Sequence, residues 1–407
     1  MRIECIAIGT ELLTTRRLDT NSVWLGERLA AMGLRFQRKT AVGDNREDLA
    51  ELFHEALVRS DLILTTGGLG PTFDDFTKEL LAEILGADLL EDAGSRADML
   101  AFYAARKRVP APSNFKQALL PVGAEPLRNP VGTAPGVWWQ DPPGHPGSLI
   151  VMMPGVPREM KRMWEEQVEP RLQQQARQAV HTLRMVVCGV PESTLDERIR
   201  EVRERHGHLD WSILASLTQV ELLVRSGEPA SLADVVADLK PLLGDDLACI
   251  GNGNLEDAVL ERLRARGQTL AVAESMTGGL VASRLTAIPG ASRSFVGGAT
   301  VYSPVAKTVL LGLPAAFLLD HGTVSEATTL ALAEAARTAL GATWGLAVTG
   351  NAGPAAEGDA PIGTVYLAVA GPAGSFAIGR LLPGDRQDIQ LRAAAAALDF
   401  LRRQILG

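Results

Sequence analysis

The stretch Thr65-Thr66-Gly67-Gly68-Leu69-Gly70-Pro71-Thr72-Phe73-Asp74-Asp75 begins at the end of a short predicted strand, Asp61–Thr66. Glycines let the backbone adopt positive φ and approach a ligand closely, and a helix after the turn offers free N–H groups to an anion. In open α/β sheets such turns lie at the carboxyl ends of the strands, where ligands bind. The stretch therefore predicts an α/β domain with a ligand site at this turn.

The residues on either side of this turn alternate between strand-like and helix-like patterns. Asn21-Ser22 and Asp44-Asn45 read as caps of two helices, and the Pro-rich sequence from Val109 to Pro146 is typical of loops. Strands that alternate with helices of this length predict a parallel sheet. The predicted strands, besides Asp61–Thr66, are Arg2–Ile8, Leu34–Val42 and Ser148–Met153.

A second turn, Ala273-Glu274-Ser275-Met276-Thr277-Gly278-Gly279, heads another region of the same kind. Helices are predicted at Gly279–Ala287, Pro304–Leu311 and Ser325–Leu340. The accompanying predicted strands are Thr269–Ala273, Phe295–Tyr302, Trp344–Val348, Gly363–Ala370 and Ser375–Leu382. This pattern predicts a second α/β domain.

The sequence between the two α/β regions has a different character. It holds two predicted strands, Thr182–Val190 and Gln219–Ser226, and two predicted helices near Ser193–Arg205 and Ser231–Leu243. We therefore predict an α/β protein of two domains, residues 1–170 and 253–407, with mainly parallel sheets, joined by a small α+β module at 171–252 that is KH-like. This module lacks the Gly-x-x-Gly clamp and carries 9 Lys and Arg against 12 Asp and Glu, which favours a structural or dimer-forming role.

Composition narrows the function classes. The 407 residues carry a formal net charge of −8 without a long basic block, so a nucleic-acid partner is not expected and a small-molecule enzyme is. No apolar run is long enough to span a membrane. The start Met1–Glu4 lacks a secretory signal's apolar stretch, and the three cysteines are scattered. Both features predict a cytoplasmic protein.

The acidic end of the first turn suggests a metal. Asp74 and Asp75 would repel a bare phosphate, whereas a divalent cation such as Mg²⁺ would bridge them to it. The alternative is that one of them caps the next helix. Glu11, after the first strand, is a further ligand or an ordinary first-turn carboxylate. Arg158, after the last strand of the domain, contacts a phosphate or lies in solvent.

The second turn places a hydroxyl where the first has carboxylates. Ser275 could attack a carbonyl carbon while helix N–H groups receive the oxyanion, although the turn is not a Gly-x-Ser-x-Gly elbow. The spacing of the histidines indicates no catalytic triad. Lys307 is the other candidate base, because a buried lysine can be neutral near pH 7. Ser303-Pro304 before it reads as a helix start. A solvated lysine is the alternative.

With these residues in view, the chain resembles the competence/damage-inducible protein CinA family over essentially its full length. The first turn, Asn129–Gly136 and Pro154-Gly155-Val156-Pro157 are similar to the molybdopterin-binding domain family. The second turn, Tyr302-Ser303, Lys307 and Gly384-Asp385-Arg386 are similar to bacterial nicotinamide mononucleotide deamidases.

The resemblance implies two activities. The first domain would hydrolyse ADP-ribose to AMP and ribose 5-phosphate with a divalent metal. The last domain would convert nicotinamide mononucleotide to nicotinate mononucleotide and ammonia without a cofactor. The chain would be a cytoplasmic homodimer that recycles pyridine nucleotides. The family's name also leaves open a binding protein for competence or DNA damage, whose first domain only binds a nucleotide or a pterin.

The resemblance also implies the roles of individual residues. Ser275 would be the nucleophile, Lys307 its base, and Tyr302 and Thr277 further catalytic residues. The substrate in the last domain would contact Gly278, Gly279, Thr349, Gly350 and Arg386. The substrate in the first domain would contact Gly67, Gly68, Gly70, Thr72, Asn21 and Arg158, and its metal Asp74, Asp75 and Glu11. Two residues depart from the family's usual pattern: Asn351 replaces an apolar residue, and Pro304 replaces an asparagine.

Overall fold

The computed structural model describes residues 1–15, 17–175, 180–355 and 360–406. The chain forms two compact units, Met1–His181 and Thr182–Gly407. Within the described ranges, no helix is both long and apolar enough to cross a lipid bilayer.

The first unit is built around one sheet with the strand order β2-β1-β3-β8-β7-β6. Its strands are β1 (Ile3–Ile8), β2 (Phe36–Val42), β3 (Leu62–Thr66), β6 (Glu125–Leu127), β7 (Gly136–Gln140) and β8 (Leu149–Met153), while β4 (Leu89–Glu91) and β5 (Leu119–Pro121) form a separate ribbon. The strands from β2 to β8 pair in parallel, and β7 and β6 are added antiparallel. The carboxyl ends of β1 and β3, which carry the first turn, are therefore neighbours.

Helices cover both faces of this sheet. One core packs Ile6 of β1 against Phe53 and Leu81, and the other packs Cys5 of β1 against Leu25. Successive residues of β1 thus face opposite cores, as a strand buried on both sides requires. The helices are α1 (Glu11–Thr14), α2 (Thr20–Ala31), α3 (Arg46–Arg59), α4 (Thr77–Ile84), α5 (Ala93–Ala105), α6 (Pro157–Met163) and α7 (Glu169–Gln175).

The region from Val109 to Pro146 is not all loop, so that prediction was wrong. It contains β5, β6, β7 and a 3₁₀ helix at Pro112–Ala118. In β7 the apolar run Val137–Trp139 is buried, but it is only three residues long and lies among prolines and glycines. Such a short run does not stand out from loop sequence.

The second unit contains two sheets. The smaller one has the order β10-β11-β9-β12 and packs against α8 (Glu192–Arg205) and α9 (Pro229–Leu243). Its strands are β9 (His181–Val187), β10 (Asp210–Ala215), β11 (Val220–Ser226) and β12 (Leu247–Ile250). The sequence predicted this α+β character but only β9, β11 and the two helices.

The larger sheet of the second unit has the order β14-β13-β15-β16-β17. Its strands are β13 (Leu270–Glu274), β14 (Phe295–Thr300), β15 (Trp344–Gly350), β16 (Thr364–Gly371) and β17 (Gly374–Leu381). β13 pairs in parallel with β14 and β15, and β16 and β17 are antiparallel. The predicted α/β class is therefore confirmed, with antiparallel strands at one side of each larger sheet.

Helices also cover both faces of the larger sheet. Val272 of β13 packs with Leu260, Val281 and Leu398, whereas the neighbouring Ala273 packs with helix residues of the opposite face. The helices are α10 (Leu255–Ala265), α11 (Leu280–Thr286), α12 (Pro304–Leu311), α13 (Ala315–His321), α14 (Glu326–Ala339) and α15 (Arg386–Leu406). The second turn thus connects a fully buried strand, β13, to the start of α11.

Candidate active sites

The turn after β3 is fixed by close backbone packing. Gly67 and Gly68 have φ of 106° and 66°, the region that favours glycine. A Cβ on Gly67 would lie 2.1 Å from the carbonyl oxygen of Ile8, and one on Gly68 would lie 1.9 Å from Thr77 Oγ1. The turn therefore lies directly against the end of β1 and the start of α4, where no side chain fits.

The two aspartates of this turn do not cap α4. That helix begins at Thr77 without a side-chain cap. The Asp75 carboxylate instead accepts hydrogen bonds from the N–H of Thr72, at 3.0 Å, and from its hydroxyl. Among the residues that the structure describes, Asp74 Oδ1 is buried without a hydrogen-bond partner. The capping alternative is therefore wrong.

Two lysines tie the segment that ends in β5 to its neighbours: Lys116 to the acidic turn, and Lys78, in α4, to that helix. Lys116 Nζ donates to the carbonyl oxygens of Thr72 and Asp75, and the buried Lys78 Nζ donates to those of Gln117 and Leu119 at 2.7 and 2.8 Å. Burial lowers the pKa of Lys78 to about 8. Sequence reasoning missed both lysines, because their partners lie about forty positions away along the chain.

An open cleft of about 790 Å³ lies over the carboxyl ends of β1, β3 and β8. Arg158 is exposed and does not line it. The structure therefore separates Arg158 from the other residues that the sequence predicted for this site. Those that do line the cleft are Glu11, Asn21, Gly67, Gly68, Gly70, Thr72, Asp74 and Asp75.

Asn21 lies inside α2 rather than at its cap. Asp19 caps the helix by accepting a hydrogen bond from the N–H of Ser22 at 2.9 Å, so the predicted start at Asn21-Ser22 was wrong by two residues. Asn21 Nδ2 donates to the carbonyl oxygen of Gly155 at 2.8 Å, and a Cβ on Gly155 would lie 3.3 Å from Gly67 Cα. A single residue, Gly155, thus lies between the Asn21 side chain and the glycine turn.

The carboxylates of the cleft meet the requirements of some metal ions and not of others. Within the described part of the chain, no group of three or more His, Cys, Asp or Glu side chains is placed to hold a metal ion. Mg²⁺, however, commonly takes only one or two carboxylates and fills its remaining positions with water and phosphate oxygens. Asp74 and Asp75 on one turn, with a buried oxygen that lacks a partner, fit a cation shared with a phosphate ligand.

The turn after β13 brings Ser275 and Lys307 together. The N–H of Ser275 donates to the carbonyl oxygen of Val348 at 2.9 Å, which fixes the turn to β15. Lys307 Nζ lies 3.3 Å from Ser275 Oγ and 2.9 Å from the carbonyl oxygen of Val301. Lys307 is 2% exposed and Ser275 is 7% exposed. The alternative of a solvated lysine is therefore wrong.

The start of α12 determines where Lys307 lies. Ser303 caps the helix by accepting a hydrogen bond from the N–H of Ala306 at 3.1 Å, and Pro304 occupies its first turn. The predicted helix start is confirmed. Pro304 suits this position because its missing N–H would have no partner inside the helix. Proline in place of the family's usual asparagine thus preserves the helix that carries Lys307.

Glu274, directly before Ser275, is a residue that sequence reasoning missed. Its side chain is buried, and its carboxylate accepts hydrogen bonds from the N–H groups of Gly279, Val281 and Ala282 at 3.1, 3.0 and 2.8 Å. These N–H groups are therefore not free to receive an oxyanion, and the expectation that the helix start does so is wrong for them. A glutamate before a glycine-rich turn was the only available signal.

The other predicted residues of this site lie after β13 (Thr277), within β15 (Thr349), after β14 (Tyr302) and at the start of α15 (Arg386). The Thr277 hydroxyl oxygen is buried and has no partner among the described residues. The Thr349 hydroxyl is 2.6 Å from that of Thr329 on α14, and both are fully buried. Arg386 donates to the hydroxyl of Tyr302 at 2.9 Å and to the carbonyl oxygen of Gly353. Tyr302 is thus a partner of the predicted phosphate-binding residue.

Three predicted substrate glycines are required by the backbone. Gly278 and Gly279 have φ of 66° and 104°, and a Cβ on Gly350 would lie 2.7 Å from the carbonyl oxygen of Thr364. The Asn351 side chain bonds within its own loop, since it donates to the carbonyl oxygen of Ala360 at 3.2 Å and accepts from the N–H of Gly353 at 3.0 Å. This departure from the usual pattern therefore has a local structural role.

Comparisons with known proteins match two separate parts of the chain. A family model described as "CinA C-terminal domain" matches residues 252–405, and one described as "Probable molybdopterin binding domain" matches residues 4–174. The chain is 40% identical over 414 residues to a CinA-like protein of Acidobacterium capsulatum, with all of both chains covered. It is 39% identical over 422 residues to a CinA-like protein of Myxococcus xanthus, which covers 100% of this chain and 99% of that one.

A solved structure covers part of the chain. The protein CinA from Thermoplasma acidophilum, described as of unknown function, is 34% identical and matches 42% of this chain and 96% of its own, with a TM-score of 0.38.

Proposed function

The chain belongs to the CinA family, and from this premise we propose that it is a bifunctional enzyme of pyridine-nucleotide recycling. The larger domain of the second unit deamidates nicotinamide mononucleotide, and the first unit hydrolyses ADP-ribose. The observation that carries the deamidase is the buried pair of Lys307 Nζ and Ser275 Oγ, 3.3 Å apart. A serine needs a base within hydrogen-bond reach, and this lysine supplies one.

The deamidation proceeds by acyl transfer. Ser275 Oγ attacks the carboxamide carbon of the substrate as its proton passes to Lys307 Nζ. The tetrahedral intermediate collapses when the C–N bond breaks, and the proton from Lys307 leaves with the amine as ammonia. Water then attacks the resulting ester, returns the proton to Ser275 and releases nicotinate mononucleotide. One water is consumed, and no oxidant or reductant is needed.

The remaining groups of this site bind and stabilise. Since Glu274 occupies the N–H groups of Gly279, Val281 and Ala282, we assign the developing oxyanion to donors earlier in the turn, the N–H groups of Met276 and Thr277. Arg386, held by Tyr302 and by the carbonyl oxygen of Gly353, binds the substrate phosphate.

In the first unit we propose that Asp74 and Asp75 would hold a divalent cation together with the pyrophosphate of ADP-ribose. Glu11 lines the same cleft, but among the described residues it does not form a three-carboxylate group with them, so its expected role as a third ligand is wrong. Such a cation would neutralise charge that develops on the phosphate oxygens. The chain's own contribution is the glycine turn, which lets the substrate approach backbone N–H groups, and Lys116, which donates a hydrogen bond to the carbonyl oxygen of Asp75. Asn21 and Thr72 line the same cleft and contact the substrate.

A second candidate for the first unit is binding of a nucleotide or a pterin without hydrolysis. The match to a model described as a probable molybdopterin binding domain favours it. Binding and hydrolysis need nearly the same turn, so turnover is the property that distinguishes the two candidates.

A turnover screen tests both activities of the proposal. Purified protein is incubated with nicotinamide mononucleotide and with ADP-ribose, each with Mg²⁺ and with excess chelator. We expect ammonia from the first substrate under both conditions, and AMP from the second only with the cation. Asp75→Ala should lose AMP formation and keep ammonia release. AMP formation by that variant in excess chelator would remove the metal from the account, whereas binding of ADP-ribose without AMP would favour the second candidate.

A further inference from the structure

The charge of the cleft in the first unit does not suit an anionic ligand by itself. Its lining residues include six carboxylates, on Glu11, Asp19, Asp44, Asp74, Asp75 and Glu159. A divalent cation at the acidic turn offsets two of these charges, but a pyrophosphate brings two more negative charges. A positively charged side chain on another wall of the cleft would therefore favour binding of the anion.

Arg17 is the only Lys, Arg or His side chain among the described residues that line this cleft. Its side chain is exposed, and none of the described carboxylates forms an ion pair with its guanidinium. Four of the acidic lining residues instead accept hydrogen bonds from neutral donors: Asp19 from the N–H of Ser22, Asp44 from that of Thr10, Asp75 from that of Thr72, and Glu159 from the Asn129 amide.

The position of Arg17 in the chain is well anchored. Its N–H donates to Thr15 Oγ1 at 3.1 Å, and the Thr15 hydroxyl donates to the carbonyl oxygen of Glu11 at 2.7 Å. On the other side, the N–H of Thr20 donates to the carbonyl oxygen of Leu18, and Asp19 caps α2. The residue follows β1, whose carboxyl end neighbours that of β3, so Arg17 and the glycine turn border the same edge of the sheet.

We propose that the Arg17 guanidinium binds a phosphate group of the ligand in this cleft, the role that sequence patterns suggested for Arg158. A guanidinium suits this role because it donates two parallel hydrogen bonds to phosphate oxygens. Lys116, the other cation near the acidic turn, already donates its Nζ hydrogen bonds to the carbonyl oxygens of Thr72 and Asp75. The proposal rests on the proposed nucleotide site but does not require hydrolysis.

Calorimetric titration of the full chain with AMP and with adenosine, in excess Mg²⁺, tests this proposal. Arg17→Gln should weaken AMP binding about tenfold, as expected for one charge-assisted hydrogen-bonding group at an open site. The same variant should bind adenosine, which lacks the phosphate, as the unmodified chain does. Arg108→Gln, at an exposed arginine that does not line the cleft, is the matched control and should bind both compounds normally.

Several results would overturn the assignment. Unchanged AMP affinity in Arg17→Gln would exclude the contact, and an equal loss for AMP and adenosine would show that Arg17 shapes the cleft instead. A loss confined to Arg158→Gln would return the role to that residue. If the unmodified chain binds neither compound, the nucleotide site itself is wrong. AMP binding without turnover of ADP-ribose would contradict only the proposed hydrolysis and not the Arg17 contact.

Discussion

Lys307 Nζ and Ser275 Oγ lie 3.3 Å apart in a site where both side chains are buried, although 32 positions separate the residues in the chain. The contact joins the start of α12 to the turn after β13, two places that the parallel pairing of β13 with β14 brings to one edge of the sheet. A serine is a weak nucleophile by itself, and this contact places a base within reach of its hydroxyl.

Replacing the base should slow the chemical step rather than substrate binding. Lys307→Met keeps the length of the side chain but removes its hydrogen bonds to Ser275 Oγ and to the carbonyl oxygen of Val301. We expect kcat for ammonia release to fall roughly 10²- to 10⁴-fold, the usual contribution of a general base, with KM changed little. Lys240→Met, at an exposed lysine of α9, is the control. A kcat within threefold of the unmodified chain would exclude Lys307 as the base.

The Glu274 carboxylate should hold the nucleophile's turn in place. Glu274→Gln exchanges an oxygen that accepts hydrogen bonds for an amide that cannot, and so loses part of the three-donor arrangement at α11. We expect destabilisation on the order of 2 kcal/mol, since hydrogen bonds to a buried charge contribute about that much. The measurement is urea unfolding with ammonia release assayed in parallel. Glu326→Gln, at an exposed carboxylate in the first turn of α14, should change neither property.

Arg386 should act on the phosphate of the substrate alone. Its guanidinium is already oriented by Tyr302 and by Gly353, so little ordering is needed on binding. We expect Arg386→Gln to raise KM for nicotinamide mononucleotide about 10- to 100-fold. Kinetics with nicotinamide riboside, which lacks the phosphate, should be the same for both proteins. An equal defect with both substrates would mean that Arg386 supports the turn and not the phosphate.

Stability of the first unit should depend on pH through Lys78. Burial lowers the pKa of Lys78 from its ordinary 10.5 to about 8, so between these values the unfolded chain binds more protons than the folded one. The free energy of unfolding should therefore rise with pH across this window, by an amount on the order of 3 kcal/mol. Lys78→Met cannot titrate and should lack this rise, which denaturant unfolding at pH 7.5 and at pH 10.5 would compare. Parallel pH profiles of the two proteins would contradict the account.

The sequence predicted the features that depend on local backbone chemistry. Glycine-rich turns after buried strands, the Ser303-Pro304 helix start and the strands β1, β3, β8 and β13 all follow from patterns within ten residues. To place the two turns, it was enough to know which strand each turn follows, because parallel strands bring their carboxyl ends to one edge of the sheet.

The parts that the sequence did not predict depend on where a side chain points in space. The sequence near Lys116 or Lys78 does not indicate that either side chain will donate hydrogen bonds to backbone carbonyl oxygens about forty positions away. Glu274 could have pointed to solvent, but its burial beneath the start of α11 makes it an anchor. The sequence indicated Arg158 and did not single out Arg17, whereas the lining of the cleft contains Arg17 and not Arg158.

Ammonia release from nicotinamide mononucleotide, measured side by side for the unmodified chain and Ser275→Ala, tests the central claim most directly. The variant loses one oxygen from a buried turn that backbone hydrogen bonds and Glu274 hold, so its circular dichroism spectrum should be unchanged. We predict steady ammonia release from the unmodified chain and a rate at least about 10³-fold lower from the variant. Equal rates from the two proteins would contradict the account.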